Sequence, residues 1–202
     1  MLRCLVSDFP TIYLARHGET AWTISRQHTG RTDLPLTEGG RKEAEHVRQR
    51  LLDRCDDPNN CPLPDHIFSS PLKRAQETCT IATRSQSIEL LDDLMEWDYG
   101  EYEGRTTKEI QDDRPGWNIF DDGAPGGESV EMVSDRADRV IQRLRSIESK
   151  EAFAFSHGHF LRVVMARWLG LPASAGRYFV LSTAAVVVLG YEHNMDEPCI
   201  RF

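Results

Sequence analysis

The sequence predicts a three-layer α/β/α sandwich around a mostly parallel central sheet, and two observations predict it. Short β-branched or aromatic runs (10–16, 66–70, 87–97, 151–158, 184–192) alternate with segments whose apolar residues recur at helical spacing (36–53, 71–83, 128–149, 159–170). Such alternation implies crossover helices covering both faces of a parallel sheet. The chain of 202 residues is 40% hydrophobic and 28% charged, the composition of one globular domain with a sizeable core. No internal repeat or low-complexity tract interrupts it, so a single domain over 1–202 is expected.

"PTIYLAR" (10–16) reads as a buried strand because it is short, β-branched and aromatic, and ends at a glycine. In 36–53, Thr37 is the expected N-cap, and Ala44, Val47 and Leu51 share one helical face. Pro and Asn make 57–65 a loop. "HIFSS" (66–70) is a second strand, and Pro71 behind Ser70 forms the N1 and N-cap pair that opens a helix to 83. A third strand, 87–97, runs into a Gly-, Asp- and Pro-rich stretch with one helical patch at "TTKEIQ". This stretch, about 98–128, is expected to be a lid or specificity insertion. Val130, Val133, Ala137, Ile141 and Leu144 define a helix, and "EAFAFSHG" is strand then turn. A helix over 159–170 and a buried strand "AAVVVLGYE" (184–192) complete the order.

A net charge of −8 gives the chain no broad electrostatic reason to bind nucleic acid or an anionic membrane. An anion-binding function must therefore rest on a local basic pocket. The five cysteines (Cys4, Cys55, Cys61, Cys79, Cys199) contain no CxxC pair. Cys55 and Cys61 stand close enough to bridge a small loop, but free thiols in a reducing compartment are the expectation. The first apolar run is too short for a secretory segment, and no stretch reaches membrane-span length, so a cytoplasmic location is expected.

Ligands in such sheets bind at the carboxyl ends of the strands. Four predicted strand ends carry "ARHG", "FSSP", "LMEW" and "FSHG". They deliver Arg16 and His17, Arg74 one helical turn beyond the serines, Glu96, and His157. Arginine presents a planar fork matched to phosphate oxygens. A neutral histidine attacks phosphorus, and a carboxylic acid protonates a leaving alkoxide. Gly18 and Gly158 let backbone approach a ligand closely. "SHGHF" also opens a helix whose first amides favour an anion. The set suits phosphoryl transfer.

"ARHGET", "SSPLKRAQET", "LMEWDYGEYEG" and "AFSHGHFLR", in this order from 12 to 162, resemble the histidine phosphatase superfamily, the phosphoglycerate-mutase-like clan. The resemblance implies that His17 becomes phosphohistidine and that Arg16, Arg74 and His157 bind the transferring phosphoryl group. It implies that Glu96 is general acid and then general base, and that no cofactor and no metal take part. Thr29 and Gly30 in "QHTG" match the family's substrate loop. Thr23 stands where the family often has Asn, so one phosphate hydrogen bond is expected to change. A narrower resemblance, to sedoheptulose-1,7-bisphosphatase-like sugar phosphatases, suggests a small phosphorylated sugar as substrate. It would place Trp117 or Tyr99 against the sugar ring and His159 on a distal group.

Within this family a phosphoglycerate mutase is the alternative to a phosphatase, and a non-catalytic phospho-ligand binder is a second one. Mutases carry a longer, basic insertion after the catalytic Glu. Here 105–129 is shorter and acidic, with no paired arginines, only the separated Arg105 and Arg114, and no lysine-rich tail follows. Hydrolysis is therefore expected. Taken singly the features are ordinary: Arg16 could be a sheet-edge ion pair, Arg74 a solvated helix charge, Glu96 a loop carboxylate. His157 and His159 lack a third ligand at metal spacing. Trp168 is expected in the core, and His28, His46, His66 and His193 on the surface or in structural roles. Oligomeric state is not fixed by the sequence.

Overall fold

The computed structural model describes residues 9–201. The amino-terminal apolar run and Cys4 lie outside the described residues. Six strands form one sheet: β1 (Thr11–Arg16), β2 (His66–Ser69), β3 (Glu89–Leu90), β4 (Glu151–Ser156), β5 (Val186–Tyr191) and β6 (Pro198–Arg201), in the order β3-β2-β4-β1-β5-β6. β3, β2, β4 and β1 run parallel, and β5 and β6 complete the sheet antiparallel. The expected mostly parallel α/β sandwich is present.

Alternation along β1 shows why there are three layers. Tyr13 and Ala15 pack with Val47, Leu51, Cys79 and Ala82, which belong to α2 (Glu38–Leu52) and α3 (Lys73–Thr83). Ile12 and Leu14 pack with Val133, Val140, Phe160 and Val164 on the other face. Those residues belong to α6 (Val130–Arg145) and α7 (Gly158–Trp168). Trp168 is buried there as expected. Short helices α1 (Ala21–Ser25), α4 (Thr107–Asp113) and α5 (Ile119–Asp122) lie over the carboxyl edge of the parallel strands, the last two within the 98–128 segment.

Several local expectations change. Thr37 caps α2 as expected, accepting the Gly40 N–H at 3.0 Å. Ser70 does not cap α3: the helix begins at Lys73 without a side-chain cap, and the Ser70 hydroxyl instead lies 2.8 Å from His157 Nε2. The third strand shrinks to two residues. Arg136 of α6 takes the carbonyls of Asp93, Met95 and Glu96, so that stretch bonds to a side chain instead of a neighbouring strand. β6 lacks an apolar run; it pairs with β5 and packs Ile200 against the core.

The free-thiol expectation for Cys55 and Cys61 is corrected: they form a disulfide, with Cα atoms 5.7 Å apart. Buried Arg54 supplies the cause. Its guanidinium donates to the carbonyls of Leu51 and Pro62 and pairs with Glu151, folding the loop back on itself. Cys79 and Cys199 are free thiols. The disulfide removes that pair from the argument for a reducing compartment. Among the described residues, no helix is long and apolar enough to cross a membrane.

Candidate active site

A cavity of about 190 Å³ opens at the carboxyl ends of β1 and β4. Of the residues picked out from the sequence, Arg16, His17, Thr23, Thr29, Glu96, Gly158 and His159 line it. Arg74, His157, Gly18 and Gly30 are not among its lining residues.

His17 follows the last residue of β1 and is buried. Its Nδ1 lies 2.7 Å from the Gly18 carbonyl, which fixes that nitrogen as the protonated one. The lone pair is thereby left on Nε2. Burial first, and then the Arg74 and Arg16 guanidinium groups, hold His17 well below the usual imidazole range. The side chain is therefore neutral and nucleophilic. The Gly18 peptide is itself held: its N–H donates to the Thr78 hydroxyl at 3.0 Å, and that hydroxyl donates to the Arg74 carbonyl at 2.7 Å.

Arg16 bonds the Leu181 carbonyl at 2.5 Å through one terminal nitrogen, while its buried Nε has no partner. Arg16 lines the cavity, and an unpaired guanidinium donor beside it suits an anion. Gly158 leaves room for it: a Cβ there would stand 3.0 Å from the Arg16 Cζ.

Arg74 is fully buried, and each of its three guanidinium nitrogens donates at least one hydrogen bond. It bonds the carbonyls of Thr29, Gly30 and Thr32 and donates to His157 Nδ1 at 3.1 Å. His157 therefore carries its proton on Nε2 and donates it to Ser70. Burial, then Arg74 and His17, hold His157 neutral too, and its ring centre lies 5.1 Å from that of His17.

The Glu96 carboxylate accepts from the backbone N–H groups of Trp97, His159 and Phe160 at 2.9, 3.1 and 2.8 Å. The last two belong to the first turn of α7 and fix both carboxyl oxygens in place. Buried Arg136 fixes the chain that carries Glu96, and pairs with Glu128 at 2.7 Å. An acceptor so held can take or return a proton at one defined place.

Thr23 and the substrate-loop residues make internal hydrogen bonds. The Thr23 hydroxyl closes a capping box with Thr20, to whose carbonyl it donates at 2.9 Å. The Thr29 hydroxyl donates to Gln27. Gly30 is buried and contributes shape, with its N–H bonded to Glu103. The expected surface or structural role of His28 is corrected: the pairing of 28 with 104 and 105 turns its ring inward, 4.7 Å from Tyr99 and 5.5 Å from Trp117. Burial pushes His28 down to about 4.

His28, His159 and Arg162 also border a second compartment of about 180 Å³, lined further by Trp117, Phe120 and Arg177. Burial raises Tyr99 well above the usual phenol range, and burial keeps His159 neutral. The Tyr99 O–H therefore donates to His159 Nδ1, leaving Nε2–H as the remaining donor of that imidazole. Sequence reasoning missed His28, Thr78, Glu103, Glu128, Arg136 and Arg162. Of these, Thr78, Glu103 and Arg162 fall inside the four family motifs, and His28 inside "QHTG". Among the described residues, no group of three His, Cys, Asp or Glu side chains is placed to hold a metal.

Residues 12–197 match the family model of the histidine phosphatase superfamily, branch 1. The chain belongs to that superfamily. It is 40% identical over 191 residues to an acid phosphatase of Mycobacterium tuberculosis, covering 94% of this chain and 90% of the other. It is 32% identical to the sedoheptulose 1,7-bisphosphatase of Saccharomyces cerevisiae, covering 94% and 83%. A Salmonella paratyphi C protein named "Probable phosphoglycerate mutase GpmB" matches at 31% identity over 91% of this chain and 86% of its own. Among solved structures, that of an open reading frame from Mycobacterium tuberculosis superposes with a TM-score of 0.86 at 37% identity, with 96% of each chain covered. The enzyme class expected from the sequence, a phosphoric monoester hydrolase, agrees with the phosphatase names in this set of superfamily members.

Proposed function

We propose that this chain hydrolyses small phosphomonoesters, sugar phosphates or bisphosphates, through a phosphohistidine on His17. One relationship carries the reading: the Gly18 carbonyl holds the His17 Nδ1–H, which leaves the Nε2 lone pair in a cavity where Arg16 has an unpaired donor.

Nε2 attacks phosphorus, the P–O bond to the substrate breaks, and the departing oxygen takes a proton from Glu96. The alcohol leaves. Water then gives a proton to Glu96 and attacks the phosphohistidine, returning phosphate, neutral His17 and protonated Glu96. Arg16 balances charge on the transferring group. Arg74 and His157 act indirectly, by placing the 29–32 loop and Ser70. The aromatic side chains Tyr99 and Trp117 offer flat surfaces to a sugar ring, and the His159 Nε2–H offers a donor to its hydroxyl groups.

The mutase alternative loses its two candidate cations. Arg105 pairs with Asp113 and Arg114 with Asp122 within the same segment, and neither lines the cavity. The test is phosphate release by wild type and His17→Ala across sugar mono- and bisphosphates, with interconversion of 2- and 3-phosphoglycerate followed in parallel. Release that disappears in the variant supports the hydrolase. Interconversion without release would make the enzyme a mutase, and binding unaccompanied by turnover would make it a phospho-ligand binder.

A further inference from the structure

Three non-glycine residues among those described adopt left-handed backbone: Arg26, Arg84 and Ala184. This conformation suits glycine, and a side chain at Cβ makes it unfavourable. Arg84 ends α3 in this way, and its guanidinium reaches Glu45. Arg26 ends α1 at φ 61 and ψ 27. Its backbone N–H caps the helix by donating to the Trp22 carbonyl. Its guanidinium, however, has no hydrogen bond, ion pair or aromatic partner among the described residues.

Arg26, an exposed residue, is among those that line the cavity containing His17. Three arginines line this cavity, Arg16, Arg26 and Arg162, against one acidic residue, Glu96. Arg16 serves the phosphoryl group that His17 takes. Arg162 is tied to the carbonyls of Gly176 and Arg177 and stacks on Phe120 at 4.4 Å. Arg26 is the cation whose donors are uncommitted. It also stands on a chain of net charge −8, where a solvated surface position could be filled without backbone strain.

We propose that Arg26 determines specificity by binding a second anionic group of the substrate, a phosphate or carboxylate remote from the phosphoryl group transferred to His17. The proposal rests on the hydrolase reading and narrows it: the preferred substrates carry two anionic ends. Arg26 acts on substrate selection, through ground-state and transition-state binding alike, so the effect falls on KM more than on kcat.

The test compares wild type with Arg26→Gly and Arg26→Lys on matched pairs. Fructose 1,6-bisphosphate against fructose 6-phosphate isolates a second phosphate; 3-phosphoglycerate against glycerol 3-phosphate isolates a carboxylate. For Arg26→Gly, the ratio of kcat/KM between doubly and singly anionic members falls about tenfold, the worth of one charge-assisted contact. Arg26→Lys recovers part of it, and the difference from wild type shrinks in high salt. Because glycine suits the backbone at 26, the melting temperature of Arg26→Gly stays at or above that of wild type. The same ratio of dissociation constants, measured by calorimetry in a His17→Ala background, reads Arg26 without turnover. A wild type that releases no phosphate would sink the hydrolase reading, while the binding ratio would still decide on Arg26. An unchanged ratio, or equal losses on every ligand with a lowered melting temperature, overturns the proposal.

Discussion

Arg74 and Glu103 hold the same loop, residues 29–32, from two sides. The Arg74 guanidinium donates to the carbonyls of Thr29, Gly30 and Thr32, and the Glu103 carboxylate accepts from the N–H groups of Gly30 and Thr32. A cation on the carbonyls and an anion on the amides leave the loop one conformation, with Thr29 on the cavity wall. Glu103 sits in the 98–128 segment, so that segment acts on the site by clamping this loop.

Glu103→Gln tests the clamp. A neutral amide keeps the size but exchanges one acceptor oxygen for a donor facing the same N–H groups, at a cost of about 1–3 kcal/mol. The melting temperature should drop and KM should rise more than kcat falls. Steady-state kinetics beside thermal unfolding read both; unchanged values would show that the loop is held elsewhere.

Thr78 positions the nucleophile without touching substrate. Thr78→Val keeps the shape but leaves the buried Gly18 N–H without an acceptor, and the Gly18 carbonyl that orients His17 moves with it. At about 1.4 kcal/mol of lost orientation, kcat falls roughly tenfold with KM little altered. Thr78→Ser, which retains the hydroxyl, should recover most of the rate. Equal losses in the two variants would assign Thr78 to packing alone.

Two glycines beside the histidines should fail differently. In Gly158→Ala the new Cβ meets Arg16 at 3.0 Å, and the Leu181 carbonyl keeps that guanidinium from giving way. Activity should fall while the fold survives. In Gly18→Ala the Cβ would stand 2.4 Å from the Gly40 carbonyl oxygen, a backbone atom that cannot shift alone. Circular dichroism and phosphate release on the pair separate the cases; a folded, active Gly158→Ala would contradict the role given to Arg16.

Stability should fall as pH drops below about 6.5. His17, His157 and His159 are held well below that value in the folded protein, and His28 at about 4, each chiefly by burial. In the unfolded chain the same imidazoles take protons near 6.5. Between the two values the unfolded state binds more protons, so stability rises with pH there and levels off above about 6.5. Catalysis has the opposite expectation: His17 stays neutral through this range, so no acid limb of kcat/KM near 6.5 belongs to it. Melting temperatures from pH 7 down to 5 check the first point, and a flat curve would contradict the burial of the four histidines.

Much of the fold was legible because helices α2, α6 and α7 advertise their buried faces by apolar spacing. The five site residues were legible as types: Arg16, His17 and His157 sit where β1 and β4 end, Arg74 in the first turn of α3, and Glu96 in the loop beyond β3. Their division of labour was not. Arg74 and His157 face inward, toward main-chain carbonyls and Ser70, and a main-chain carbonyl leaves no mark in a sequence. The same reason hides Glu103, Thr78 and Arg136, whose partners are backbone groups 73, 60 and 40 residues away. Arg136 also explains why the third strand is short, and Arg54 why two cysteines meet.

The measurement closest to the central claim is a rapid quench of wild type with a sugar bisphosphate during turnover, followed by peptide mapping under alkaline conditions. A phosphoryl group should appear on the peptide containing His17, bound through nitrogen and lost in acid, and it should be absent from His17→Ala. Phosphate release at full rate from His17→Ala, or a phosphoryl group trapped on any other residue, would contradict the account.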